Sequence, residues 1–370
     1  MVVDKELILN VMKALVVALC ISFAATPFVR RLAFTIGAVD VPRDNRRMHN
    51  HPIPRLGGLA IFLGFVISVL IFCDIDLQLQ GILIGAVMIV ILGVIDDIMS
   101  LPAKLKLVVQ IMAALCAVLH GVAIEAINNP NIFSDNPYWA LGFWSYPISI
   151  IWIVAITNSV NLIDGLDGLA DGVSTIAALT MLILAVLLGE WEISIICGAL
   201  VGACVGFIPY NLNPAKIFMG DTGSTFLGFI LATLSIQGLF KYYAVISFLV
   251  PFIILGLPIF DTSFAFIRRI LRGQSPMTAD RSHVHHKLID MGMNQKQAVS
   301  TLYIVSLVLG LSAVLLATTS IGKTLLFILA LVLCGFVAVR AIFPHHPELH
   351  HGEHKEEHKG EEKKGEDKHE

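Results

Sequence analysis

Apolar runs of helix length recur along this chain, and its ionisable groups collect in alternate connections between them. The polar connections are Asp40 to Gly58, Asp96 to Gln110, Asn158 to Gly172, Asn211 to Ser224 and Arg268 to His286. The remaining connections carry little beyond scattered Asp, Asn and Gln. No other feature constrains the fold as much. If every run crosses a bilayer, alternate connections share one side. The runs lie near residues 7–29, 57–73, 81–95, 106–124, 146–163, 173–189, 193–210, 223–240, 243–267, 299–318 and 323–343. A spanning helix needs roughly 17–25 apolar residues, so the sequence predicts an all-α polytopic membrane bundle of about eleven transmembrane helices. The runs at 57–73 and 81–95 are short, so each begins earlier or tilts less than its neighbours.

Composition agrees. Hydrophobic residues are 56% and charged residues 14% of the chain, with mean hydropathy +0.81. Soluble domains are about one quarter charged. The net charge of −3 hides an asymmetry: Arg30, Arg31, Arg46, Arg47, Lys104, Lys106 and Arg268 lie in or beside the polar connections, whereas the opposite loops hold Lys241 and Lys323. Basic loops stay in the cytoplasm. The polar connections are therefore expected there, with the N-terminus outside and the C-terminus inside. The first apolar run is too long for a signal peptide and is read as a retained span. Cys20, Cys73, Cys116, Cys197, Cys204 and Cys334 contain no CxxC pair and read as small buried residues. Residues 1–343 are expected to form one integral membrane domain. The charged, His-rich tail 344–370 has no apolar period and is expected to be disordered. No nucleic-acid partner is expected.

Five strings carry the chemistry. In VDVPRDNRRMHNHPIPRLGG, Pro42, Pro52 and Pro54 prevent a continuous helix, while Gly57 and Gly58 permit close backbone approach. Arg46, Arg47 and His49 are donors suited to phosphate, although arginines alone also serve as topological anchors. GVIDD places Asp96 and Asp97 at the C-terminal end of the third span, where the helix dipole opposes them. A metal ion, or Lys104 and Lys106, must compensate. In NSVNLIDGLDGLADG, the residues Asn158, Asn161, Asp164 and Asp167 recur every third position, which predicts a polar stripe on one helix. Acids at membrane depth are costly and usually functional.

NLNPAKIFMGDTGS contains Asn211, an aromatic at Phe218 and the candidate metal ligand Asp221. Phe218 offers a stacking surface to a base. The N–H groups opening the next helix are suited to a phosphate, and Asp, Thr and Ser there are equally suited to capping. RRILRGQSPMTADRSHVHHKL holds Arg281, His283, His285 and His286, which read as pyrophosphate ligands and proton handlers. Asp261, in PIFDT, needs a partner, and an arginine such as Arg268 would serve.

As a set, these strings resemble the polyprenyl-phosphate N-acetylhexosamine-1-phosphate transferases, of the glycosyltransferase family 4 type. The resemblance runs from about Val39 to Gly292 and keeps the family's motif order. It implies a Mg²⁺-dependent enzyme, Mn²⁺ being an alternative, that moves a sugar phosphate from a UDP-sugar onto polyprenyl phosphate and releases UMP. It places Asp96 and Asp97 beside the metal and lipid phosphate, with Asp97 a second metal ligand, and makes Asp221 the main metal ligand. Asn161, Asp164, Asp167 and Phe218 match the nucleoside region, and His285 and His286 the pyrophosphate side. Arg46, His49, Lys106, Asn158, Asn211, Arg281 and His283 join them as substrate-binding candidates. ADRSHVHH is similar to the UDP-GlcNAc branch, not the UDP-MurNAc-pentapeptide branch. A multi-pass protein of the cell (inner) membrane follows, active at its cytoplasmic face and compatible with a homodimer.

Two other classes share some of these features. A secondary transporter also has intramembrane acids, but it binds near the midplane and often shows inverted repeats, and no internal repeat is found here. A CDP-alcohol phosphotransferase would need an Arg soon after the first Asp-Gly of DGLDGLADG, and that Arg is missing.

Overall fold

The computed structural model describes residues 5–41, 51–128, 138–238, 249–273, 283–318, 322, 323 and 327. All but Phe327 belong to a unit that closes at Leu326. The helices are α1 (Lys5–Ile36), α2 (Gly58–Phe72), α3 (Leu77–Met99), α4 (Ala103–Leu119), α5 (Ser145–Ile163), α6 (Leu169–Leu188), α7 (Trp191–Asn211), α8 (Gly220–Gly238), α9 (Leu249–Ile254), α10 (Gly256–Leu271), α11 (Val284–Asp290) and α12 (Gln295–Thr318). Two short antiparallel pairs join loops: β1 (Val39–Asp40) with β2 (Ile53–Pro54), and β3 (Ala126–Asn128) with β4 (Tyr138–Ala140).

Among the described residues, six segments are long and apolar enough to cross a membrane: α1, α3, α5 with the 3-10 turn before it, α6, α7 and α12. The protein is a polytopic helical membrane protein. α2 is apolar but only 15 residues long. The short run expected at 81–95 does begin earlier, because Asp76 caps α3 by accepting the Leu79 N–H at 2.7 Å. The run expected at 243–267 is divided instead. Leu255 separates α9 from α10, and Pro258, three residues on, has no N–H for the carbonyl of Ile254. The run at 323–343 and the tail fall outside the described residues, apart from Lys323 and Phe327.

α8 is the centre of the bundle. Every residue from Thr222 to Gly238 is buried, and α2, α3, α5, α6 and α7 surround it. Such a helix needs no polar face. α1 packs along α7 through Gly198, Gly202 and Gly206, one per turn on the same face. A Cβ added at Gly202 would sit 2.1 Å from the Leu15 carbonyl oxygen, so only glycine admits this approach. Among the described residues all cysteines are free, and Cys20 is exposed, against the expectation that every cysteine is buried. It sits on the face of α1 turned away from α7.

Chain direction alternates through the bundle. The C-terminal ends of α1, α3, α5, α7 and α10 and the N-terminal ends of α2, α4, α6, α8 and α12 thus carry the polar motifs to one end.

Candidate active site

The site is built on the first turn of α8. Gly220 has φ +72, and a Cβ there would meet Asp97 Oδ2 at 2.5 Å. Asp97 reaches across from α3. Its Oδ1 accepts the Asp221 N–H at 3.0 Å, and its Oδ2 accepts the Thr222 N–H at 3.0 Å and the Thr222 hydroxyl at 2.6 Å. Gly93, one turn earlier on the same face of α3, makes this possible: a Cβ there would lie 2.4 Å from the Thr222 Cα. Arg55 Nε donates to the Asp97 carbonyl at 3.1 Å. These contacts correct the expectation that the α8 N–H groups wait for a phosphate. Those of Asp221 and Thr222 are taken by Asp97.

Asp96 meets a different partner. Its Oδ1 accepts the Leu101 N–H at 2.6 Å, and its Oδ2 lies 3.0 Å from Lys106 Nζ. The same ammonium is 2.8 Å from Asp221 Oδ2. The two acids at the end of α3 are therefore compensated separately, Asp96 by Lys106 and Asp97 by the positive end of α8 together with Arg55, whose Nε lies 3.9 Å from its Oδ1. The amide of Asn161 donates to Asp221 Oδ1 at 3.2 Å and to Ser224 Oγ at 2.8 Å.

The polar stripe expected on one helix is not continuous. α5 ends at Ile163, Asp164 follows it, and Gly168 at φ +77 starts α6, so Asp164 and Asp167 belong to a turn. Two glycines in four residues end the helix. Asn158 is also diverted: its amide donates to Gln110 Oε1 at 2.7 Å and to the Val154 carbonyl at 2.8 Å. Asp167 Oδ2 accepts from the Asn213 amide at 2.9 Å and the Ala215 N–H at 3.1 Å. Asn211 accepts the Gly168 N–H at 3.1 Å and donates to the Ile217 carbonyl at 3.0 Å. These residues lock the turn after α5 to the loop before α8.

A cavity of about 610 Å³ opens over this framework. Asn161, Asp164, Asp167, Phe218, Asp221 and His286 line it, with Asp97 and Asn211 in its wall. The volume lies within the range of small-molecule sites. Burial, followed by the charges of Asp221, Asp97 and Asp167, pushes the Asp164 carboxyl up to about 8. Phe218 is held by its backbone. Its N–H donates to the Pro54 carbonyl at 2.8 Å, and its carbonyl accepts the Gly57 N–H at 2.9 Å. The Pro-Gly string expected to make a close approach does so here.

The three histidines have separate positions. His283 Nδ1 lies 2.8 Å from Asp261 Oδ2, and Asp261 Oδ1 accepts the Val284 N–H at 2.8 Å. His283 is thus the partner that Asp261 needs. His285 is buried, its ring parallel to that of His283 at 5.8 Å. It rests on Gly165, where a Cβ would be 2.3 Å from its Nε2. Burial and then His286 lower the His285 imidazole to about 4, so it is neutral near pH 7. Only His286 of the three lines the cavity. Asp40, Arg55 and Gln295, which are not among the sequence candidates, also line it. The Pro-rich string was the available signal for Asp40 and Arg55, and Gln295 had none. Arg46, His49 and Arg281 lie outside the described residues.

Known proteins share much of this sequence. The model for glycosyl transferase family 4 matches residues 79–239, which include Asp96, Asp97, Asp164 and Asp221. The chain is 40% identical over 331 residues to a probable undecaprenyl-phosphate N-acetylglucosaminyl 1-phosphate transferase of Bacillus subtilis (strain 168), covering 89% of this chain and 91% of that one. It is 34% identical over 320 residues to a decaprenyl-phosphate N-acetylglucosaminephosphotransferase of Mycolicibacterium smegmatis, covering 78% and 77%. Over 325 residues it is 26% identical to the undecaprenyl-phosphate alpha-N-acetylglucosaminyl 1-phosphate transferase of Escherichia coli (strain K12), covering 85% and 87%. With the motif order, the helical membrane fold and a relative matched along nearly its whole length, this chain belongs to glycosyl transferase family 4.

Proposed function

We propose that this enzyme transfers GlcNAc-1-phosphate from UDP-GlcNAc to undecaprenyl phosphate or a similar polyprenyl phosphate, at the cytoplasmic face of the cell (inner) membrane. An oxygen of the lipid phosphate attacks the sugar-bearing phosphorus. The bond from that phosphorus to the UMP oxygen breaks, and lipid-pyrophosphate-GlcNAc remains to start an envelope polysaccharide. The observation that carries this reading is the Asp96–Lys106–Asp221 chain beside a 610 Å³ cavity, at the end of the bundle where the motif helices meet. The acceptor stays in the bilayer and the donor in water, so their reaction belongs at such an end. The names of the relatives support the lipid and the sugar. The basic connections support the cytoplasmic side and, with the shorter apolar runs counted, about eleven spans.

Phosphoryl transfer depends on positioning and charge neutralisation. Lys106, between two carboxylates, is placed to meet a phosphate oxygen, and Asp96 orients or deprotonates the lipid phosphate. Phe218 stacks on the uracil, while Asp164 and Asp167 face the nucleoside and His286 the pyrophosphate. The donors fit Mg²⁺. It favours one or two carboxylates plus substrate phosphates over a full protein cage. Asp221, in the cavity lining, is such a carboxylate, and no group of three or more His, Cys, Asp or Glu suited to a metal exists among the described residues. When bound, the ion would neutralise charge on the pyrophosphate. The test is purified protein with polyprenyl phosphate and separate UDP-sugars, following UMP release. Release with UDP-GlcNAc is expected. Faster release with UDP-MurNAc-pentapeptide would overturn the sugar assignment, and sugar-nucleotide flux without UMP would overturn the reaction.

A further inference from the structure

Asp97 lies 2% exposed between two helix ends of opposite sign. The C-terminal end of its own helix, α3, disfavours a negative charge, and the N-terminal end of α8 favours one. Its two oxygens receive three hydrogen bonds from the first turn of α8. That turn has little room to shift. Gly93 lies under Thr222, and a Cβ at Gly58 would be 2.0 Å from the Gly223 nitrogen. Asp221 stands in the same turn, with one oxygen on Lys106 and the other on Asn161.

We propose that Asp97 is a positioning residue: it seats the first turn of α8 and so aims the Asp221 carboxylate, while touching neither substrate itself. This rests on the reading of Asp221 as the group that serves the reacting phosphates. A carboxylate is required. Two backbone N–H groups and a hydroxyl converge on it, and an asparagine would turn a donor NH₂ toward one of them. The GVIDD and FMGDTGS strings are then halves of one device. Asp96 and Asp221 meet at Lys106, and Asp97 together with Gly93 and Gly220 fixes the register between the two helices.

The test is a double-mutant cycle on the full-length protein with Asp97→Asn, Thr222→Val and both together. The readouts are kcat, KM for each substrate, the pH profile, melting temperature, and Mn²⁺ affinity by electron paramagnetic resonance. A positioning role predicts that Asp97→Asn lowers kcat by about a hundredfold, the scale of a misplaced reacting group. Both KM values and the shape of the pH profile should stay near those of the parent, and Mn²⁺ affinity should fall. Thr222→Val should lower kcat less, and the double variant no further than Asp97→Asn alone, since both act on one turn. Multiplicative losses, or loss of the acid limb of the profile in Asp97→Asn, would make Asp97 a group that touches substrate and overturn the proposal. If Asp97→Asn does not fold, Thr222→Val decides, and parental kcat with parental Mn²⁺ affinity overturns the idea. Asp221→Asn is run alongside. Full activity there removes the reading of Asp221, whereas its loss beside a fully active Asp97→Asn removes only the role of Asp97.

Discussion

The seam between α1 and α7 and the seam between α3 and α8 use the same packing device for different ends. Both bring helix backbones together over glycine. In the first, Gly198, Gly202 and Gly206 face Val11, Leu15 and Leu19, which carry no charge. In the second, Gly93 admits the backbone at Thr222, and one turn later the seam ends in Asp97 and Asp221. The first seam only holds helices together. The second adds a carboxylate where a helix N-terminus arrives, and close packing there becomes orientation of a second carboxylate. Proximity of helices gives stability, and the residue at the last turn decides whether it also gives a site.

The largest effect is expected at Asp221. Asp221→Asn keeps the shape of the side chain but weakens its hold on cations, and turnover is expected to fall on the order of a hundredfold or more with the melting temperature unchanged. Retained turnover in a UMP-release assay would reduce the α3–α8 seam to packing as well. Next comes Gly202→Ala in the other seam. The added methyl meets backbone, which cannot rotate away, so overpacking should cost about 1–3 kcal/mol of stability. Turnover per folded molecule should stay at the parental level, and a selective loss of kcat would show that this seam also positions the site. Phe218→Ala should weaken UDP-GlcNAc or UMP binding by roughly 1–3 kcal/mol in calorimetry, the scale of base stacking. Unchanged affinity would remove Phe218 from the nucleotide site.

The smallest expected effect is the pH response of His285. Its folded value of about 4 lies below the 6.5 of a free imidazole, so the unfolded chain binds more protons between them. The stability that it contributes is complete above about pH 6.5 and is lost as pH falls toward 4. His285→Gln should flatten the fall in melting temperature over that window. An unaltered slope would mean that the buried ring beside Gly165 is not the titrating group.

Much of this was legible in residue order. Apolar runs and their polar connections are local properties, so the helical membrane class and the family resemblance follow from them. Asp221, Asn161, Asp164, Phe218 and His286 were all candidates, and all line the cavity. Hydrogen-bond partners were not legible. Asn158 has the three-residue spacing of its neighbours yet pairs with Gln110, 48 positions away, and Asn211 is spent holding loops. A periodic pattern identifies a face of a helix but not what lies opposite it, and it fails where Gly165 and Gly168 end the helix inside the pattern.

By itself, the sequence determined that the chain spans a membrane as helices, that its ionisable groups gather in alternate connections, and which side chains are available for phosphate chemistry. Hydropathy and spacing are enough for that, because a bilayer leaves the backbone few choices. Only the tertiary structure decided how two adjacent acids divide their work. Asp96 turns to Lys106 and Asp97 to the N-terminus of α8 because successive residues on a helix point about 100° apart, and different partners wait in each direction.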